Sequence, residues 1–307
     1  MSSPYLDGVI PIAVMPFDEN DQVDLKALKS EIDFLVSIGI KWVGFGFGSE
    51  VYTLAESELI KALTYSGEVA KGKIGIIGNV ELNSAKGAIE RVNSIKATGA
   101  TMVMMRPGGM MAAAPSADVA AAFREVGLAC GFPIVIQDAP QNTGVNLSPQ
   151  VLADLLENAE NIDSLKIEPL SPATKISEVI KNLKDKNLSV IGGLGAMELI
   201  HEIKRGSKGT MPGPAFPEVF REIQNLMSAG DEASARKLFN RILPLLVLSN
   251  RDMSTFLFMQ KYLLKRRGVL SRSNLRSPHS ALDPQLPLEI EEMLVAINYD
   301  KILKECS

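Results

Sequence analysis

A chain of 307 residues with a net charge of −4 and 46% apolar residues can bury one large core, and it lacks the concentrated basic charge that a nucleic-acid backbone demands. Two cysteines and two histidines are too few for a disulfide framework or a zinc cluster. No apolar run reaches the roughly 20 residues needed to span a bilayer, and Met1-Ser2-Ser3-Pro4 lacks the pattern of a secretory leader, so a cytoplasmic protein without nucleic-acid or membrane partners is expected.

The chain opens on an apolar segment, 9–15, that predicts a strand. Asp24 then caps a helix over 24–38, where Leu25, Leu28, Ile32, Leu35 and Val36 recur on one face. The same alternation continues with strands over 42–46, 74–78, 102–105, 134–137, 164–167, 189–192 and 209–211. Helical patterns separate them over 55–70, 84–97, 115–129, 148–158, 172–183 and 197–205. Gly39, Gly99, Gly131 and Gly206 stand where helix C-caps precede a strand. The strands are continuously apolar, which indicates burial on both faces and hence a parallel sheet. Eight strand–helix units predict an α/β fold, a (β/α)8 TIM barrel, in preference to an open doubly wound sheet.

After Pro214 the strands cease. Helices are expected over 217–229, 232–248, 253–267 and 287–303, with a Ser- and Pro-rich surface loop over 268–287. The expected organisation is a barrel over 1–229 and a C-terminal helical extension over 230–307 packed on it.

In such barrels chemistry sits where strands end. Lys166 closes the apolar strand Ser164-Leu165-Lys166-Ile167, and strand alternation turns it inward together with Glu168. Apolar walls disfavour a charged amine, and a neutral amine is the nucleophile that attacks a ketone to form an iminium. The bland alternative is a structural ion pair of Lys166 with Glu168 or Asp138. Arg106, directly before Pro107, is a candidate carboxylate binder, or else the partner of Glu81 or Glu168. The amides around Gly48 and Ser49 are a candidate nest for a carboxylate. Gly192-Gly193-Leu194-Gly195 lacks the spacing of a dinucleotide fingerprint and reads as close backbone approach or turn geometry. The methionines Met102, Met104, Met105, Met110 and Met111 read as core and loop filler.

Gly46-Phe47-Gly48-Ser49-Glu50-Val51-Tyr52-Thr53-Leu54 resembles the Gly-Thr-Thr-Gly-Glu-x-x-x-Leu motif of the dihydrodipicolinate synthase / N-acetylneuraminate lyase family. The opening Gly8-Val9-Ile10-Pro11 with Met15-Pro16-Phe17 is similar to that family's first strand. Gly192-Gly193 and Gly209-Thr210-Met211-Pro212 are similar to its seventh and eighth strand ends. The resemblance covers about residues 8 to 300. It implies that Lys166 is the Schiff-base lysine of a pyruvate-type lyase or aldolase, that Gly48, Ser49, Gly193 and Met211 border a small 2-oxo acid, and that identical chains assemble into a homodimer or homotetramer. It implies no cofactor and no metal.

The departures are as informative. The family's Tyr-Asn-x-Pro motif aligns with Gln137-Asp138-Ala139-Pro140, its carboxylate-binding arginine with Asn142, and its Pro-Tyr-Tyr with Pro107-Gly108-Gly109. Phe47 and Gly48 replace its two threonines. A phenolic proton relay is thereby lost, and glutamine cannot titrate. Glu168 is the candidate general base, with Gln137 orienting water or substrate; Asp138 is expected to face the barrel wall, and Tyr52 to lie too far away. The expected function is a Schiff-base lyase acting through Lys166, substrate unidentified. A 4-hydroxy-tetrahydrodipicolinate synthase, or a barrel that has lost catalysis and binds a metabolite, stands as the alternative.

Overall fold

Residues 6–306 are described by a computed structural model. Its strands are β1 (Gly8–Val9), β2 (Trp42–Gly44), β3 (Gly75–Leu82), β4 (Met102–Pro107), β5 (Ile134–Asp138), β6 (Ile162–Ile167), β7 (Ser189–Gly192) and β8 (Gly209–Thr210). They form one parallel sheet in the order β1-β8-β7-β6-β5-β4-β3-β2. Just beyond β1 the chain closes the circle on β2: Gly44 N–H donates to Pro11 O at 2.9 Å, and Ala13 N–H donates to Gly44 O at 2.9 Å. The result is the TIM barrel that the sequence predicts.

Period-two alternation divides the strand side chains into two apolar layers. Ile10, Ile12, Ile77, Met102, Met104, Val135, Ile191 and Met211 fill the barrel interior. Val43, Val103, Met105, Ile136, Leu165 and Val190 face outward into the larger core beneath the helices. The first helix begins where expected, with Asp24 accepting from Ala27 N–H at 3.0 Å. Gly39 and Gly206 take φ of +76° and +95° at helix ends, a conformation that a side chain would strain.

Several boundaries differ from the sequence expectation. The first strand is Gly8–Val9 where the sequence predicts 9–15, the rest of that segment meeting β2 through isolated contacts. Two other differences have a clear cause in the residues. β3 continues to Leu82 because Asn79 and Glu81 turn inward and pair with Arg106 of β4, so polarity there does not end the strand. The last predicted helix is two, Leu286–Ile297 and Tyr299–Cys306, separated by Asn298 at φ +56°. That break lets Tyr299 pack edge-on against Phe216 at 6.2 Å between ring centres. No helix among the described residues is long and apolar enough to cross a membrane.

The segment between the helices Met253–Arg266 and Leu286–Ile297 is more than a surface loop. Leu270 and Leu275 are buried, and Arg276 grips the barrel rim. Its backbone N–H donates to Glu50 Oε1 at 2.9 Å, its guanidinium pairs with both Glu58 oxygens at 2.9 Å, and it lies 4.3 Å over the Phe17 ring.

Candidate active site

β6 delivers Lys166 and, one residue past its end, Glu168 to the inner rim of the barrel. Lys166 is only 4% exposed, and its Nζ lies 3.1 Å from Glu168 Oε1. Of the two ion pairs open to Lys166 in the sequence, the structure forms the one with Glu168. Asp138 instead turns outward, as expected, and pairs with Lys175 at 2.7 Å. Burial raises the Asp138 carboxyl above its ordinary value, with Lys175 acting against that rise.

Glu168 is held from several sides. Oε1 accepts from Leu194 N–H at 2.9 Å, Oε2 accepts from Gln137 Nε2 at 2.6 Å, and its backbone carbonyl accepts from Gln141 Nε2 at 2.6 Å. Because the donor end of the Gln137 amide is turned to Glu168, the acceptor end is free: Gln137 Oε1 is buried without a partner. A buried acceptor left open in this way is matched by a donor brought in by water or ligand.

These groups face a cavity of about 230 Å³. Strand ends supply Gln137, Lys166, Met211 and Pro212, and the segment beyond β2 supplies Phe47 and Gly48. Gln141 and Asn142 come from the short helix Pro140–Thr143, and Leu194 and Gly195 from the turn after β7. The remaining wall is Asn250, Asp252, Met253 and Phe256, at the start of the helix Met253–Arg266. Asp252 caps that helix, accepting from Ser254 and Thr255 N–H at 2.9 and 3.0 Å, which fixes the wall's backbone.

Lys166, Glu168, Gln137, Gly48 and Met211 therefore share one cavity, and three other candidates do not border it. Ser49 is buried with its hydroxyl donating to Ala13 O, while its N–H donates to Gly46 O at 2.9 Å; both donors are spent on backbone carbonyls. Gly193 serves as clearance, since a Cβ there would collide with the Glu168 carboxylate. Arg106, 6% exposed, gives Nη1 to Asn79 Oδ1 at 2.7 Å and Nη2 to Glu81 Oε2 at 3.0 Å. Of its two possible partners in the sequence, Glu81 is the one formed, because the register of β3 on β4 sets Glu81 opposite Arg106.

The wall from Asn250 to Phe256 was not found from sequence. Its residues carry no motif, and only Asp252, a capping residue ahead of a helix, gave a local signal. Tyr52, Tyr65, Tyr262 and Tyr299 all lie outside the cavity lining, so among the described residues no phenol serves it.

Comparison with known proteins places this geometry in context. The model of the Dihydrodipicolinate synthetase family matches residues 5–297. L-2-keto-3-deoxyarabonate dehydratase of Azospirillum brasilense is 26% identical, over 94% of each chain. The 4-hydroxy-tetrahydrodipicolinate synthase of Chlorobium chlorochromatii is 25% identical, over 97% of this chain and 99% of that one. The crystal structure of dihydrodipicolinate synthase from Rhodopseudomonas palustris superposes with a TM-score of 0.87 at 26% identity, covering 95% of this chain and 98% of the other.

Proposed function

The chain belongs to the dihydrodipicolinate synthetase family, and from that premise we propose that it is a lyase that holds a hydroxylated 2-oxo acid as an iminium on Lys166. The observation that carries this is the Lys166–Glu168 pair, 3.1 Å apart and open to the cavity. Moving one proton from Lys166 to Glu168 leaves a neutral amine beside a carboxylic acid. The amine adds to the 2-oxo carbon and the acid protonates the former carbonyl oxygen; the carboxylate so formed takes a proton from the added nitrogen and passes it to that hydroxyl, which departs as water. Glu168 is left as a carboxylate beside the iminium.

The iminium withdraws electrons from C3, so Glu168 can accept a proton from that carbon. The resulting enamine expels a hydroxyl from C4, with the same proton completing a second water; hydrolysis of the iminium then restores Lys166. Cleavage of C3–C4 would instead begin with proton loss from the C4 hydroxyl. Gln137, which lines the cavity and whose Oε1 lacks a partner, is the residue we assign to that hydroxyl.

The cavity lining supports a polyhydroxylated substrate. Among the described residues Lys166 is its one cation, and Gln137, Gln141, Asn142 and Asn250 offer amides that both donate and accept. The Gly48 amide is assigned to the substrate carboxylate. The dehydratase of Azospirillum brasilense acts, by its name, on a 2-keto-3-deoxy sugar acid, a ligand of this type.

Borohydride reduction in the presence of pyruvate or a 2-keto-3-deoxy sugar acid tests the mechanism. Covalent labelling is expected in the wild type and none in Lys166→Arg, which keeps a positive charge beside Glu168 but cannot form an imine. Failure of every 2-oxo acid to label the wild type would overturn the lyase and favour a metabolite-binding barrel.

A further inference from the structure

Arg106 is a cation of the barrel's inner rim that never reaches the cavity. Its guanidinium carbon sits 4.4 Å from the centre of the Phe47 ring, and Phe47, unlike Arg106, borders the cavity. A flat ring with a guanidinium on its face and the cavity beside it stands between the two. The layer behind the ring is not fully paired, since Asn79 Nδ2, next to Arg106, is buried without a partner. The turn that carries Phe47 is closely seated. A Cβ at Gly48 would press on Ile12 at 3.1 Å and meet Phe256 at 3.4 Å, so the backbone has little room to shift.

We propose that Phe47 is a specificity-determining shutter that withholds Arg106 from ligands and thereby excludes 2-oxo acids bearing a second carboxylate. This rests on the cavity being a 2-oxo acid site. A second carboxylate pressed against the Phe47 ring would lose its hydration without gaining a partner, which is costly. A hydroxylated chain of similar length meets amides and loses little. Discrimination that strands a charge is stronger than discrimination by added contacts alone. Arg106 keeps unused N–H donors beyond the two given to Asn79 and Glu81, so a carboxylate would find a fork to bind if the ring were absent.

The test compares 2-oxoglutarate with 2-oxohexanoate, which replaces the second carboxylate by an apolar end, using calorimetric binding to the full chain. Wild type should bind 2-oxohexanoate at least as well as 2-oxoglutarate. Phe47→Ala should improve 2-oxoglutarate relative to 2-oxohexanoate by about tenfold or more, the yield of one charge-assisted pair. Phe47→Leu, which keeps an apolar shield, should not. The gain should vanish in Phe47→Ala/Arg106→Gln. If that double variant does not fold, Phe47→Ala/Arg106→Lys keeps a cation beside Glu81 and should show a smaller gain than Phe47→Ala alone.

An unchanged ratio in Phe47→Ala, no 2-oxoglutarate binding by that variant, or a gain that persists undiminished without the Arg106 fork overturns the shutter. So does a wild type that already prefers 2-oxoglutarate. Binding requires no chemistry, so loss of borohydride labelling in wild type would sink the lyase while leaving this comparison decisive.

Discussion

At the scale of single residues, the proposed mechanism assigns to Glu168 the proton transfers for which no phenol borders the cavity among the described residues. Its carboxylate is oriented by Leu194 N–H and Gln137 Nε2, so Glu168→Gln preserves size and can keep an acceptor toward either donor while abolishing proton transfer. Turnover in that variant should fall about 10²–10⁴-fold, with slow borohydride labelling of Lys166 still detectable. Turnover within a few-fold of wild type would move the base elsewhere. Lys166 was legible in the sequence because a cation closing an apolar strand stands out against its neighbours. Arg106 stood out as a strand-end cation with either a ligand or a glutamate for partner, but its exclusion from the cavity was not legible, because that depends on where Glu81 and the ring of Phe47 lie in space. Gln137 showed itself as the residue in place of a tyrosine; that its oxygen is left without a partner follows only from Glu168 claiming its nitrogen.

At the scale of elements, the helix Met253–Arg266 is positioned by a charge pair rather than by apolar packing alone. Lys261 on that helix pairs with Glu50 in the segment after β2, both side chains 1% exposed, and Lys261 also donates to Asn274 O at 2.9 Å. Lys261→Met strands the Glu50 carboxylate and should cost about 3–5 kcal/mol in urea unfolding, whereas Lys261→Met/Glu50→Gln should recover part of that loss. A single variant as stable as wild type would show that the pair contributes nothing to docking. The turn after β7 has a different economy: Leu194, Gly195 and Ala196 all adopt positive φ, at 46°, 64° and 63°, which for non-glycine residues is held against its own preference. The hydrogen bond from Leu194 N–H to Glu168 and the cover from Asn250 over Gly195 hold it there. The turn was legible from its glycines, but helix docking was not, because side-chain pairing across 211 positions, from Glu50 to Lys261, leaves no periodic trace. The strand and helix alternation was legible throughout, and the extension of β3 through Asn79 and Glu81 was missed because inward polar residues imitate a strand end.

At the scale of the whole molecule, two buried carboxyls make stability depend on pH. Burial pushes both Glu31 and Glu202 up to about 8; the Val14 N–H opposes this for Glu31, and Glu198 and Glu168 reinforce it for Glu202. Between about pH 4.5 and about 8 the folded chain keeps protons that the unfolded chain releases, so these groups make stability fall as pH rises through that window. Glu202→Gln removes one such proton and should reduce the loss of unfolding free energy between pH 6 and pH 9 by about 1–3 kcal/mol. An identical loss in wild type and variant would show that Glu202 does not titrate there. The barrel itself could be read from eight repeats of one pattern, but the return of residues 250–256 to the wall of its cavity could not. That return has a consequence for descent. Lys166, the proposed nucleophile, sits on a strand in the middle of the chain, whereas Asn250, Asp252, Met253 and Phe256 arrive from a helix start far downstream. If Lys166 makes the bond as proposed, the reacting strand and this part of the cavity wall lie on separate stretches of sequence, so residues 250–256 could be rewritten to retune what the cavity accepts while the strand stays untouched.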